Sequence, residues 1–181
     1  MIEAPVNLRD VLIISMVYYT GMRANEIATC KLQNINQDER VIFIIGKGNK
    51  PRTIPYPELF DRPLQYWINV ERKSYVHANS PYLFPSKHGP HLNPVSIHNI
   101  VCKNAEKAGI QETIGYRPNG KRIYKVHTHI LRHTYAHHSI EDDIPLTHVQ
   151  QMMGHANINT TIHYAGRNSV YKPYHDQFKG V

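Results

Sequence analysis

Apolar residues crowd the start of the chain. Leu8, Val11, Leu12 and Tyr19 fall along one helical stripe, with Ser15 as its only polar member. Ile13, Ile14, Met16, Val17 and Tyr18 extend the apolar surface nearly all round, which predicts a helix buried on most sides. Gly21 is placed to end it, since glycine adopts the left-handed conformation that helix C-termini favour. A second, short helix follows from Ala24 to about Cys30. Residues 40–46 and 50–55 alternate like two strands around Lys47-Gly48-Asn49, a turn whose Gly and Asn tolerate positive φ. A helix is expected over 62–72, with Pro63 in its first turn. Asn93-Pro94 opens another, with Ile97, Ile100, Val101, Ala105 and Ala108 on its buried side. Residues 112–126 are polar and turn at Pro118-Asn119-Gly120, which predicts an irregular or short β excursion. The helical period returns from His129 to about Ile140, and again from Pro145 through Met153, with Leu146, Val149 and Met153 inward. Gly154 stops that helix, and Asn159 or Thr160 could cap a last short one holding Tyr164. The expected fold is mainly α with a small antiparallel β-sheet, an α+β class.

Composition narrows the field. The 181 residues make one domain, and 41% are hydrophobic, enough to bury a core. Lys and Arg number 21 against 14 Asp and Glu, giving +7 with neutral His and a pI near 9.4. Such an excess points to a polyanionic partner, nucleic acid before membrane lipid. The longest apolar run, Val11 to Tyr19, is too short to span a bilayer, and no signal peptide is visible. Cys30 and Cys102 stand far apart and read as reduced thiols of a cytoplasmic protein.

Four segments carry more than the composition does. They are Thr20-Gly21-Met22-Arg23-Ala24-Asn25-Glu26, Gly46-Lys47-Gly48-Asn49-Lys50-Pro51-Arg52, His129-Ile130-Leu131-Arg132-His133-Thr134, and Gly154-His155 through Tyr164. In this order, with Tyr164 nine positions after His155, they closely resemble the tyrosine recombinase (phage integrase) family. The similarity runs from about Leu8 to Gly166 and implies that family's catalytic-domain fold. Position by position, the resemblance assigns catalytic roles to Arg23, Lys47, His129, Arg132, His155 and Tyr164. Glu26 matches an acidic position that helps to hold the first arginine. Lys50 is the rival of Lys47 as general acid. The implied activity is site-specific recombination or integration: duplex DNA is cut and rejoined through a covalent 3′-phosphotyrosyl intermediate, with neither metal ion nor ATP. The implied partners are double-stranded DNA and further copies of the chain, monomeric alone and tetrameric on synapsed DNA.

The residue types suit that chemistry. Attack on a phosphodiester piles negative charge on the nonbridging oxygens, and two guanidiniums, Arg23 and Arg132, offer planar forks of permanently charged donors. His129 lies three residues before Arg132, so a helix puts both on one face. The Tyr164 phenol, with an ordinary pKa near 10, is a better nucleophile source than Ser or Thr. A lysine on a hairpin tip can protonate the leaving 5′-oxygen. Lys50, Arg52, Lys121, Arg122, Lys125 and His133 are candidate DNA contacts.

Other readings stand beside this one. His129, His133 and His137 fall at i, i+4 and i+8, a spacing that can bind zinc, and a zinc-dependent hydrolase would need it. Ile130 stands where a zinc protease has its Glu, and Arg132 would repel the cation, so that site is disfavoured. His133, His137 and His138 fit structural or phosphate-contacting roles, whereas His127, His148 and His163 read as surface groups. A non-catalytic DNA-binding module would use the same basic face, a type IB topoisomerase shares the chemistry, and integration is not separable here from dimer resolution. Relatives carry an N-terminal core-binding domain, and with about seven residues before the first helix that domain is expected to be absent. The 17 residues after Tyr164 form a tail in which Tyr171 and Tyr174 could anchor to a neighbouring copy or to their own domain.

Overall fold

The computed structural model describes residues 7–46 and 51–154. Helix α1 (Leu8–Thr20) starts under the Asn7 side chain, which accepts the Asp10 amide, and stops at Gly21 with φ +60°. Its buried face is Leu12, Ile13, Met16, Val17 and Thr20. That corrects the expected stripe: Val11 and Tyr19 are each 39% exposed. A segment apolar on nearly every side carries little directional signal, so packing against the later helices chose the face. Helix α2 (Ala24–Ala28) follows, two residues shorter than expected.

Strands β1 (Ile35–Asn36), β2 (Val41–Ile45) and β3 (Pro51–Pro55) form an antiparallel sheet in that order. The two-residue β1 is too short to leave a sequence period. Ile42 pairs with Ile54 and Ile44 with Arg52. Alternation turns Ile42 and Ile44 into the core from β2, and puts Arg52 on the same face of β3 as the buried Ile54.

Helix α3 (Asp61–Asn69) ends before the expected 72 and gives way to a 3-10 turn over Glu71–Ser74. The buried Arg72 donates to the carbonyls of Ala78 at 2.7 Å, Tyr82 at 2.8 Å and Ser80. Those charge-assisted bonds tie the following loop to the domain and outweigh one more turn of helix. Trp67, fully buried, donates its indole N–H to the Leu83 carbonyl at 3.0 Å.

Helix α4 (Pro94–Lys107) begins at Asn93, whose side chain accepts the Ser96 amide at 2.7 Å, as Asn93-Pro94 predicts. Ile97, Val101, Cys102 and Ala105 are buried, whereas Ala108 caps the helix and is exposed, a correction to the expected inward set. A two-stranded ribbon, β4 (Thr113–Tyr116) and β5 (Arg122–Tyr124), occupies the expected β excursion. Helices α5 (Thr128–Glu141) and α6 (Leu146–Met153) complete the described chain, with Gly154 at φ +61° closing α6. The short helix expected around Tyr164 lies outside the described residues.

The main core joins α1–α4 to the inner face of β2–β3 and includes Met16, Ile27, Ile42, Ile54, Phe60 and Trp67. A smaller cluster, Tyr135, Ala136, Val149 and Met153, fastens α5 to α6. The end of α1 reaches this second cluster at Gly21, where a Cβ would lie 2.4 Å from Tyr135 Cδ1. The result is the mainly helical fold with small antiparallel sheets that the sequence pattern predicts. Among the described residues no helix is long and apolar enough to cross a membrane.

Candidate active site

At the end of α6 four of the predicted residues, Arg23, Glu26, Arg52 and Arg132, come together. A helix leaves its last carbonyls without backbone partners and carries partial negative charge there. Three guanidiniums take up these acceptors. Arg52 Nε donates to the Met152 carbonyl at 2.9 Å, Arg132 Nη2 to the Met153 carbonyl, and Arg23 Nη2 to the Gly154 carbonyl at 2.9 Å. They come from different elements: Arg23 from the turn before α2, Arg52 from β3 and Arg132 from α5. Arg132, 6% exposed, also donates through Nη1 to the Gly21 carbonyl, two residues before Arg23.

Glu26 is the counter-charge. As the third residue of α2 it reaches back to the backbone N–H of Arg23, which donates to Oε2 at 2.8 Å. Arg23 Nη1 donates to Oε1 at 3.0 Å, and Arg52 Nη2 donates to Oε2 at 2.8 Å. Burial of Glu26 works to raise its carboxyl pKa, but the Arg52 hydrogen bond, the Arg23 backbone N–H and both positive charges outweigh it. The pKa lies below the usual carboxylate value, and the group is ionised at neutral pH. Arg23 keeps 36% of its side chain exposed, against 12% for Arg52. Of the two, Arg23 is therefore the one open to an incoming phosphate.

Gly154 is the hinge of the arrangement. Besides its positive φ, a Cβ there would lie 3.0 Å from Arg52 Nη1 and 3.4 Å from Arg23 Nη1. Only a residue without a side chain lets both forks close over the end of α6.

His129 is exposed, one helical turn before Arg132. The ring of His127 lies 6.2 Å from that of His129 and 6.0 Å from that of His98. Burial, then the charge of His129, holds the pKa of His98 below the ordinary histidine value, and burial, then the charges of His98 and His129, does the same for His127. Arg117, on the turn after β4, acts on His98 in the same direction. His127 is thus half-buried among histidines at the start of α5, not the surface group expected, because β5 leads it back against α4. His137 pairs with Glu141 at 3.2 Å, and the Tyr18 hydroxyl lies 3.2 Å from His138 Nδ1.

The remaining candidates are spread out. Lys121 and Arg122 are exposed on the β4–β5 ribbon, Lys125 pairs with Glu112 at 3.0 Å, and His133 is half-buried on α5. Lys47 and Lys50, between β2 and β3 in sequence, and His155 and Tyr164, after α6, lie outside the described residues. The tie between Arg52 and Glu26 was not expected from the sequence. Its signal was present: Arg52 stands two residues before Ile54, on the inward face of a strand.

Comparison with known proteins agrees with the geometry. The sequence profile of the phage integrase family matches residues 1–169. Tyrosine recombinase XerC of Haemophilus influenzae is 30% identical over 182 residues, covering 98% of this chain and 57% of the relative. Tyrosine recombinase XerD of Bifidobacterium longum is 31% identical, covering 87% of this chain and 49% of the relative. The chain thus spans about half the length of the curated relatives it matches. Among solved structures, the XerA recombinase superposes with a TM-score of 0.74 at 28% identity, over 90% of this chain and 54% of that one. The XerH site-specific recombinase bound to its difH substrate, in a pre-cleavage complex, gives 0.72 at 25% identity, over 97% of this chain and 47% of that one. With a profile match over nearly its whole length and a shared fold, the chain belongs to the phage integrase family.

Proposed function

We propose that the chain is the catalytic portion of a tyrosine-type site-specific recombinase, acting on duplex DNA through Tyr164. The observation that carries this reading is the convergence of Arg23 and Arg132 on adjacent carbonyls at the end of α6, immediately before His155 in sequence. Two guanidiniums held in place before substrate arrives suit a reaction whose charge grows on phosphate oxygens, because the cost of orienting them is met in folding. The Tyr164 phenolate oxygen attacks the scissile phosphorus. The bond to the 5′-oxygen breaks, and that oxygen leaves with a proton from Lys47, or from Lys50 if the rival assignment holds. The 3′-phosphotyrosyl ester conserves the bond, and attack by a 5′-hydroxyl from another strand reverses the step and frees the tyrosine. His129 and His155 hydrogen-bond the phosphate beside the two arginines. Four such units on two duplexes would complete strand exchange, with the basic ribbon residues Lys121 and Arg122 as phosphate contacts. No step calls on a metal ion or ATP.

The test is a suicide substrate carrying a nick near the cleavage site, drawn from the DNA flanking the gene. The wild-type chain should form a covalent adduct whose DNA maps to the peptide containing Tyr164. Tyr164→Phe keeps the ring, so it should melt and bind DNA like the wild type and form no adduct. An adduct on Tyr171 or Tyr174, or one that persists in the Phe variant, refutes the assignment. Binding without any adduct would favour the non-catalytic DNA-binding module.

A further inference from the structure

We infer that Arg52 is a positioning residue for cleavage, not a DNA contact: it fixes Glu26, and through it Arg23, against the end of α6. This rests on the recombinase reading above. The side chain is 12% exposed, and its donors point into the protein, Nη2 to Glu26 Oε2 at 2.8 Å and Nε to the Met152 carbonyl at 2.9 Å. A phosphate contact would need that fork turned outward, at the cost of leaving the Glu26 carboxylate buried with one cation fewer.

Its two bonds join three parts of the site that have no covalent reason to stay together. Through Glu26 Oε2, Arg52 shares an acceptor with the backbone N–H of Arg23, and so holds the carboxylate plane that orients Arg23 Nη1. Through the Met152 carbonyl it grips α6 one residue before the carbonyl that Arg132 takes and two before the one that Arg23 takes. Strand β3 supplies the rigidity: Arg52 stands opposite Ile44, and its neighbour on the same face, Ile54, is fully buried. Gly154 packs directly under the Arg52 guanidinium, with no room for a side chain between them. Lysine cannot replace this group. Its single ammonium lacks the planar spacing needed to reach a carboxylate and a helix carbonyl at once.

Single-turnover cleavage at saturating DNA, measured beside DNA affinity at several salt concentrations, separates the possible roles. Arg52→Lys should fold, bind DNA with unchanged salt dependence, and cleave about a hundredfold more slowly, the cost of misplacing a reacting geometry by roughly 1 Å. Arg52→Ala should match it in rate. Because the effect passes through Arg23, adding Arg52→Lys to Arg23→Lys should slow cleavage no further. A salt slope that drops by about 0.9 would mark Arg52 as a phosphate contact and overturn the inference. Losses that multiply with those of Arg23→Lys, or an Arg52→Lys variant as fast as wild type, would overturn it too. If the wild-type chain forms no adduct at all, the enzymatic reading itself has failed, which these variants do not decide.

Discussion

Gly21→Ala perturbs the domain at the one point where the end of α1, the candidate catalytic turn and α5 meet. The added methyl faces two separate costs. The first is backbone: φ is +60°, and an L-residue in that conformation costs about 1–2 kcal/mol relative to glycine. The second is steric. The new Cβ would stand 2.4 Å from Tyr135 Cδ1 and 2.8 Å from Cε1, well inside contact distance. Tyr135 is only 9% exposed and packs with Ala136, Val149 and Met153, so its ring has little room to withdraw. Overpacking of this kind costs about 1–3 kcal/mol, which brings the sum to roughly 2–5 kcal/mol. Against a typical domain stability of about 5–15 kcal/mol, that is a severe loss. At roughly 2–4 °C per kcal/mol for a chain of this size, the melting temperature should fall by about 4–20 °C.

Urea unfolding gives the free energy, and a second background divides it. In Tyr135→Leu the ring is gone, so Gly21→Ala should there cost only the backbone part, about 1–2 kcal/mol. Cleavage should fall further than folding does, because the Gly21 carbonyl accepts Arg132 Nη1 and any shift of this turn moves the guanidinium. A Gly21→Ala variant within about 0.5 kcal/mol of wild type would refute the close approach. An equal loss in both backgrounds would remove the ring from the account.

Glu26 has a pKa lowered by folding, so its stabilising contribution is fully present above the unfolded value near 4.3 and is lost as the pH falls through the lower folded value. Glu26→Gln should therefore destabilise the domain by about 2 kcal/mol at neutral pH, the buried-pair cost discounted for the partly exposed Arg23. The gap to wild type should narrow as the pH falls below the unfolded value and close through the lower folded one, and a gap independent of pH in urea unfolding would refute this. For DNA binding, neutralisation of about five phosphates gives a plot of log K against log salt with a slope of roughly −4 to −5. A flat response, or tighter binding to anionic vesicles than to duplex DNA, would show that the positive excess serves another partner.

Where local chemistry decides an element, the chain declares it. Gly21 and Gly154 both sit at positive φ and end their helices, and Asn93-Pro94 starts α4 as its capping chemistry requires. The alternation of β2 and β3 gives the hairpin, and the motif around Arg23 and Glu26 gives the pair that the structure holds at 3.0 Å. Where tertiary packing decides, the sequence is silent. The buried face of α1 turned away from its expected stripe because an all-round apolar helix fits its core in several rotations. The end of α3 depends on Arg72, whose partners are carbonyls 6 to 10 residues further on. Arg52 is the sharpest case. Charge alone puts an arginine near a hairpin turn on the DNA-facing list, and only its place opposite Ile44 and beside Glu26 turns it inward.

The cluster these residues form is electrostatically lopsided in a useful way. Arg23 and Arg52 share one carboxylate, Glu26, and Arg132 donates to the carbonyls of Gly21 and Met153, so the three guanidiniums outnumber that carboxylate at the end of α6. Three like charges so close would repel one another and stay in solvent if nothing held them. The backbone supplies what further carboxylates would otherwise have to. The carbonyls of Met152, Met153 and Gly154 are partners that a helix end leaves over, and they accept hydrogen bonds without cancelling a full charge. A second buried carboxylate would have held the arginines as firmly but left little attraction for an anion. Dipoles hold the geometry while the net charge stays positive. This is the condition a site needs if its cations are to be rigid before the phosphate arrives and still be drawn to it as negative charge builds.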